Sequence, residues 1–94
     1  MKTNVTFRHL KANTTLQQAA IEEADKFEKF LDQIVSTEVI FTDDQRKTVE
    51  FTVRVHGNTL VASDSSDDFR KSLSEAADKI VRQLRKWKTK RFKN

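Results

Sequence analysis

The 94-residue chain has no cysteine, no proline, no tyrosine and a single glycine, Gly57. Without cysteine there are no disulfides, no thiolate metal sites and no cysteine nucleophile. One glycine cannot build a glycine-rich phosphate loop, and the shortage of glycine and proline leaves no linker or low-complexity tract. No apolar run approaches the ~20 residues that span a bilayer, and the N-terminus lacks a signal-peptide pattern. The expectation is a single cytoplasmic domain over residues 1–94, with no membrane partner. Charged residues make up 34% and hydrophobic residues 36%, with a mean hydropathy of −0.70. That balance would read as disorder in an unpatterned chain, but here the apolar residues are regularly spaced.

Acidic residues are missing from the C-terminal end. All 14 lie between Glu22 and Asp78, whereas the last 16 residues carry eight cations: Lys79, Arg82, Arg85, Lys86, Lys88, Lys90, Arg91 and Lys93. The net charge of +4 therefore divides into −4 over the first 78 residues and +8 over 79–94. A local excess of that size calls for an anionic partner, most commonly nucleic acid.

The order of elements follows from periodicity. Asn4 to His9 alternates, with Val5 and Phe7 on one side, and reads as a strand. Thr14 and Gln17 have capping-box spacing, and Leu16, Ala20, Ala24, Phe27, Leu31 and Ile34 then form one apolar stripe on a helix of about five turns. Glu22–Lys26 and Asp25–Lys29 are i,i+4 pairs on its solvent side. Ser36 to Thr42 reads as a second strand. Lys47 to His56 reads as a third, with Val49, Phe51, Val53 and Val55 facing one way. Gly57-Asn58 supplies a tight turn into a fourth strand, Thr59 to Ser63. Ser65 to Asp68 offer caps for a second helix with the stripe Phe69, Leu73, Ala76, Ile80, Leu84 and Trp87. The fold class is α+β: a two-layer β-α-β-β-β-α sandwich. Its four-stranded mixed sheet is parallel across the first crossover and carries both helices on one face.

Nothing in the chain builds a catalytic centre. His9 and His56 stand at strand ends without a second metal ligand at helical spacing, and solvated strand-end histidines are the ordinary case. Asp43-Asp44 and Asp67-Asp68 fit turn and cap roles. The expectation is a non-enzyme with no cofactor, no metal and no small-molecule substrate.

The second helix carries the functional signal. At 100° per residue, Lys79, Arg82, Lys86, Lys90 and Lys93 share an arc opposite the apolar stripe, flanked by Arg85 and Lys88. Cations about 5 Å apart along a helix suit successive phosphates of an RNA backbone, with arginine adding bidentate contacts. Helix-dipole complementation accounts for one or two such cations, not for eight without an acid. Arg8, Lys26 and Lys29 could extend the surface, although both lysines have acidic partners nearby. Phe30 and Phe92 are the only aromatics off the core stripes, so the expected contact is to phosphate and sugar, reading shape rather than sequence.

Val5-Thr6-Phe7-Arg8-His9, Lys26-Phe27-Glu28-Lys29-Phe30-Leu31-Asp32, Val53 to Ser63 and Asp78 to Lys88 together resemble the ribosome hibernation-promoting factor family, also known as ribosome-associated inhibitors, ribosomal subunit interface proteins or sigma-54 modulation proteins. The likeness runs from Val5 to about Lys90. It implies a fold like that of double-stranded RNA-binding domains. It also implies binding to 16S rRNA of the 30S subunit and 70S ribosome over the A and P sites and the mRNA channel. The consequence is a block of translation in starved or stationary cells, with or without pairing of ribosomes. Position by position, Lys79, Arg82 and Lys86 match the family's basic helix, with Arg85 and Lys88 alongside; Lys90 joins the candidate rRNA-binding residues from the cation ladder. Lys26 and Lys29 match basic positions on its first helix, bordering a groove. Phe69 stands where the family commonly has tyrosine, and Trp87 where it has histidine or tyrosine. Ending at Asn94, the chain reads as the short form, monomeric when free. The competing reading is a general double-stranded RNA-binding module built on the same helix.

Overall fold

Alternation with a period of two in four segments, and a stripe with a period near 3.6 in two others, is realised as β1 (Lys2–Arg8), α1 (Thr14–Phe30), β2 (Ile34–Asp43), β3 (Lys47–Val55), β4 (Asn58–Ser66) and α2 (Phe69–Phe92). The computed structural model describes residues 1–31 and 33–92, and for residues 89–92 the backbone alone. The sheet order is β1-β2-β3-β4. β1 and β2 are parallel, joined through α1, and the other two pairs are antiparallel hairpins. Both helices lie on one face: α2 covers β3 and β4, and α1 packs on α2, β1 and β2.

Between the layers, Phe27, Phe41, Phe51, Val39, Val49, Val53, Ile80 and Leu84 are shut off from solvent. Phe41 is the hub of one aromatic cluster, stacked on Phe7 at 5.2 Å and edge-on to Phe69 at 5.5 Å. Phe27 meets Phe51 edge-on at 5.3 Å, tying α1 to the sheet. Each such ring contributes about 1.5–3 kcal/mol through burial alone. The polar residues in the core are satisfied: the Ser72 hydroxyl donates to the Lys47 carbonyl and lies 2.7 Å from Ser66 Oγ. This link pins the start of α2 to the β3–β4 pair.

Several boundaries differ from the sequence expectation. α1 ends at Phe30, and Leu31 is already extended at φ −155°. Ile34 begins β2 instead of closing the helical stripe. Leu31 and Ile34 enter the same core from beyond the helix end, so the stripe runs on after the helix has stopped. The N-cap is Asn13, whose Oδ1 accepts from the Leu16 amide at 3.1 Å, not Thr14. The β3–β4 turn is formed by His56 and Gly57, with Gly57 at φ +78°. Asn58 is the first residue of β4, and its side chain accepts from the Thr59 amide. β4 runs on to Ser66, three residues past its expected end.

Candidate nucleic-acid interface

The placement of α2 sets the geometry of its cations. Phe69, Leu73, Ala76, Ile80 and Leu84 dock against the sheet, which turns the rest of the helix toward β4 on one flank, α1 on the other and solvent between. The basic residues divide accordingly. Arg82 and Lys86 are exposed on the outward face, one turn apart. Lys79 leans to the β4 side, where its Nζ donates to the Ser63 carbonyl at 2.8 Å and meets Asp64 Oδ1 at 3.3 Å. Arg85 and Lys88 lean to the α1 side: the Arg85 guanidinium sits 5.3 Å from the centre of the Phe30 ring, and Lys88 Nζ is 3.5 Å from the Phe30 carbonyl. Lys88 thereby places positive charge at the C-terminal end of α1, where the helix dipole is negative.

The helix segment from Lys79 to Lys88 thus presents five cations, and no acidic residue lies within it. Arg82, Arg85, Lys86 and Lys88 are exposed. The side chain of Lys90 lies outside the described residues. Lys79 departs from the arc read from the sequence because the neighbouring strand recruits it, while Arg85 and Lys88 flank the arc on the α1 side.

The remaining candidates separate from this cluster. α1 and α2 run in the same direction: Arg70 at the start of α2 shares a shallow groove with Glu22 and Glu23, and Phe30 at the end of α1 meets Arg85. Lys29, in the last turn of α1, is exposed. Lys26 sits one turn earlier among carboxylates. Its Nζ pairs with Glu23 at 3.0 Å, where i,i+4 spacing had predicted Glu22. Glu23, with smaller contributions from Glu22 and Asp78, raises its pKa above the usual lysine value. Asp25 and Lys29, the other expected pair, make no ion pair with each other. Arg8 ends β1 on the sheet face away from the helices, in the row with Thr42, Thr48 and Ser65. That row lies at the N-terminal end of α2, so Arg8 is remote from the cluster in both face and end.

Aromatic rings contribute little surface. Phe30, expected to be free, is half-buried against the core, and Trp87 is half-buried beside it. The open sheet face carries Thr6, Thr52, Ser63 and the Arg54–Glu38 ion pair at 3.3 Å, but, among the described residues, no ring on which bases could stack. The exposed cations of α2 are groups of the kind that contact phosphate. Among the described residues no group of three His, Asp or Glu side chains is placed to hold a metal ion, and no helix is long and apolar enough to cross a membrane.

Comparison with known proteins identifies the family and the fold. The model of the family described as sigma 54 modulation protein / S30EA ribosomal protein matches residues 3–91. A ribosome hibernation promoting factor of Azotobacter vinelandii is 31% identical over 93 residues, covering 98% of this chain and 87% of that one. One from Pseudomonas putida is 29% identical over 91 residues, covering 96% and 89%. A ribosomal subunit interface protein from Coxiella burnetii superposes with a TM-score of 0.88 over 95% of this chain and 99% of that one, at 24% identity, showing the same fold. A family match across nearly the whole sequence, together with this β-α-β-β-β-α sandwich, places the chain in the sigma 54 modulation protein / S30EA ribosomal protein family.

Proposed function

We propose that this protein is a ribosome hibernation factor that acts by occupying the small subunit. The observation that carries the reading is the acid-free array of Arg82, Arg85, Lys86 and Lys88, all exposed on a helix whose apolar face packs against the sheet. In this reading α2 and the end of α1 lie against 16S rRNA in the A- and P-site and mRNA-channel region. Phosphates pair with Arg82, Arg85, Lys86, Lys88 and Lys29, and with Lys90 in the next turn of α2. Lys79 and Lys26, both engaged within the protein, contribute positive potential more than direct contacts. Arg8 has no part in this footprint. The protein works in the cytoplasm as a monomer, in stationary phase or stress, by steric exclusion of tRNA and mRNA. Because no group need react, inhibition is stoichiometric and requires no cofactor.

The test is co-sedimentation with 30S subunits and 70S ribosomes in the presence of excess generic duplex RNA. Saturation near one copy per 30S subunit that survives the competitor supports the reading. Binding that the duplex removes would leave a general double-stranded RNA-binding module instead.

A further inference from the structure

The cations of α2 between Lys79 and Lys88 are not held alike. Lys79 spends its ammonium on the Ser63 carbonyl and Asp64. Lys88 Nζ reaches the Phe30 carbonyl at 3.5 Å. Arg82 and Lys86 are exposed, and among the described residues no hydrogen bond or ion pair fixes either head group. Arg85 is the exception. Its guanidinium lies over the Phe30 ring, 5.3 Å from the centroid, and among the described residues no carboxylate or carbonyl takes its N–H donors. A ring attracts the cation electrostatically without competing, as a carboxylate would, for the donors that bind phosphate. The side chain is therefore restrained while its planar fork of donors stays available.

The ring is itself fixed in place. Phe30 is the last residue of α1 and packs half-buried against the core. Phe27, one turn earlier, has no solvent exposure, and buried Leu31 donates its amide to the Phe27 carbonyl at 3.2 Å. On the other helix, Arg85 directly follows Leu84, which is 1% exposed. Both ends of the contact are thus set by the packing of α1 and α2 on one core.

We propose that Phe30 is a positioning residue for RNA binding, whose ring holds the Arg85 guanidinium in place for a bidentate contact to a backbone phosphate. A free arginine side chain surrenders rotamer freedom when it binds, and one already held surrenders less. Lysine is no substitute, since a point charge has no planar fork to match two phosphate oxygens. The proposal rests on the ribosome reading and deepens it, by naming the contact of the array that is organised before RNA arrives.

The experiment is a double-mutant cycle on 30S affinity with Phe30→Leu, Arg85→Ala and their combination, alongside Phe30→Tyr and Arg85→Lys. Arg85→Ala is expected to weaken binding about tenfold and to lower the slope of log affinity against log salt by about one. Phe30→Leu should cost about three- to fivefold with the slope unchanged, because the charge is still present. Once Arg85 is alanine, Phe30→Leu should cost nothing more, within about 1.5-fold. Phe30→Tyr should bind as wild type does, and Arg85→Lys should lose about as much as Phe30→Leu. In the free protein, NMR should show the Arg85 side-chain protons displaced by the ring current, and that displacement lost in Phe30→Leu. Equal losses from Phe30→Leu in both backgrounds mean a purely structural role and overturn the proposal. Undiminished binding in Phe30→Leu, or no ring-current displacement in wild type, overturns it as well. Should Phe30→Leu fold poorly, Arg85→Lys and the wild-type NMR decide: full affinity with lysine sinks the proposal. Wild-type protein that does not bind 30S subunits overturns the ribosome reading and this role with it, whereas an additive cycle in a protein that binds overturns the role of Phe30 alone.

Discussion

Lys79 Nζ lies 2.8 Å from the carbonyl oxygen of Ser63, so a residue of the basic helix caps the free edge of the sheet. It does not act alone. Gln83 Nε2 donates to the Val61 carbonyl at 2.9 Å, and Arg46 Nη2 to the Ser65 carbonyl at 3.1 Å. Carbonyls of alternate residues point to the same edge of a strand, and three successive ones on β4 each receive a side-chain donor. An open edge is a template for pairing with another chain, and these donors blunt it.

Lys79 and Arg82 should therefore behave differently although both are cations of one helix. Lys79→Ala is expected to cost about 1 kcal/mol of stability, since it strips the Ser63 carbonyl of its donor at a half-exposed site. Arg82→Ala should remain within about 0.5 kcal/mol of wild type, as surface changes do. Urea denaturation of the two variants checks this; equal losses would count against the capping role.

Charge reversal on the outward row should separate binding from folding. Arg82→Glu with Lys86→Glu is expected to weaken 30S binding by about 100-fold or more while leaving circular dichroism unchanged. The slope of log affinity against log salt should fall by about two, near one for each phosphate left without its cation. Adding Lys79→Glu should abolish binding but also lower the melting temperature. Undiminished affinity in the double variant would place the interface elsewhere.

Phe41 touches Phe7 and Phe69 from the centre of the sheet and has no solvent exposure. Phe41→Ala is expected to cost about 3–5 kcal/mol. That is a large share of the roughly 5–15 kcal/mol available to a small domain. The variant should lose its cooperative thermal transition, whereas Phe41→Leu should keep one at lower temperature.

His9 occupies the left-handed region at φ +63°, directly after β1. The Cβ of an L-residue is crowded there, at a cost of roughly 1–2 kcal/mol that glycine and asparagine largely avoid. His9→Asn should be neutral or stabilising by a few tenths of a kcal/mol, and His9→Val destabilising by about 1 kcal/mol or more. Melting curves of the pair decide it, and a valine variant as stable as asparagine would show that the turn can relax.

The pairing of Lys26 with Glu23 has a definite pH sign. The folded-state pKa is raised above 10.5, so the contribution is fully present at neutral pH. It is lost only as the pH climbs through the raised value. An NMR titration of the Lys26 side chain should show the midpoint moving back toward 10.5 in Glu23→Gln.

Much of the architecture was legible in one dimension. Val49, Phe51, Val53 and Val55 alternate because one face of β3 is buried and the other wet, and the same rule exposes the remaining strands. The stripe from Phe69 to Leu84 marks the docked side of α2 because helical residues three and four apart share a face. The charge step at Asp78–Lys79 needs no fold to be seen. Boundaries were less legible where different elements feed one core. Leu31 and Ile34 satisfy the helical stripe and the sheet equally well, and only the extended backbone at Leu31 resolves them.

Composition and periodicity by themselves determined which side of each element is buried and where positive charge accumulates, since both are local properties of the order of residues. Which cations remain available was decided by tertiary structure alone. Lys79 and Arg82 differ in neither charge nor helix, but one faces the unpaired carbonyls of β4 and the other faces solvent. Lys26 is likewise neutralised by Glu23 and shadowed by Asp78 from the neighbouring helix, while Arg8 is carried to the far face and far end of the sheet by its register with Thr42. Electrostatic partnership acts over a few ångströms in space, and the chain order does not carry that distance until the layers are packed.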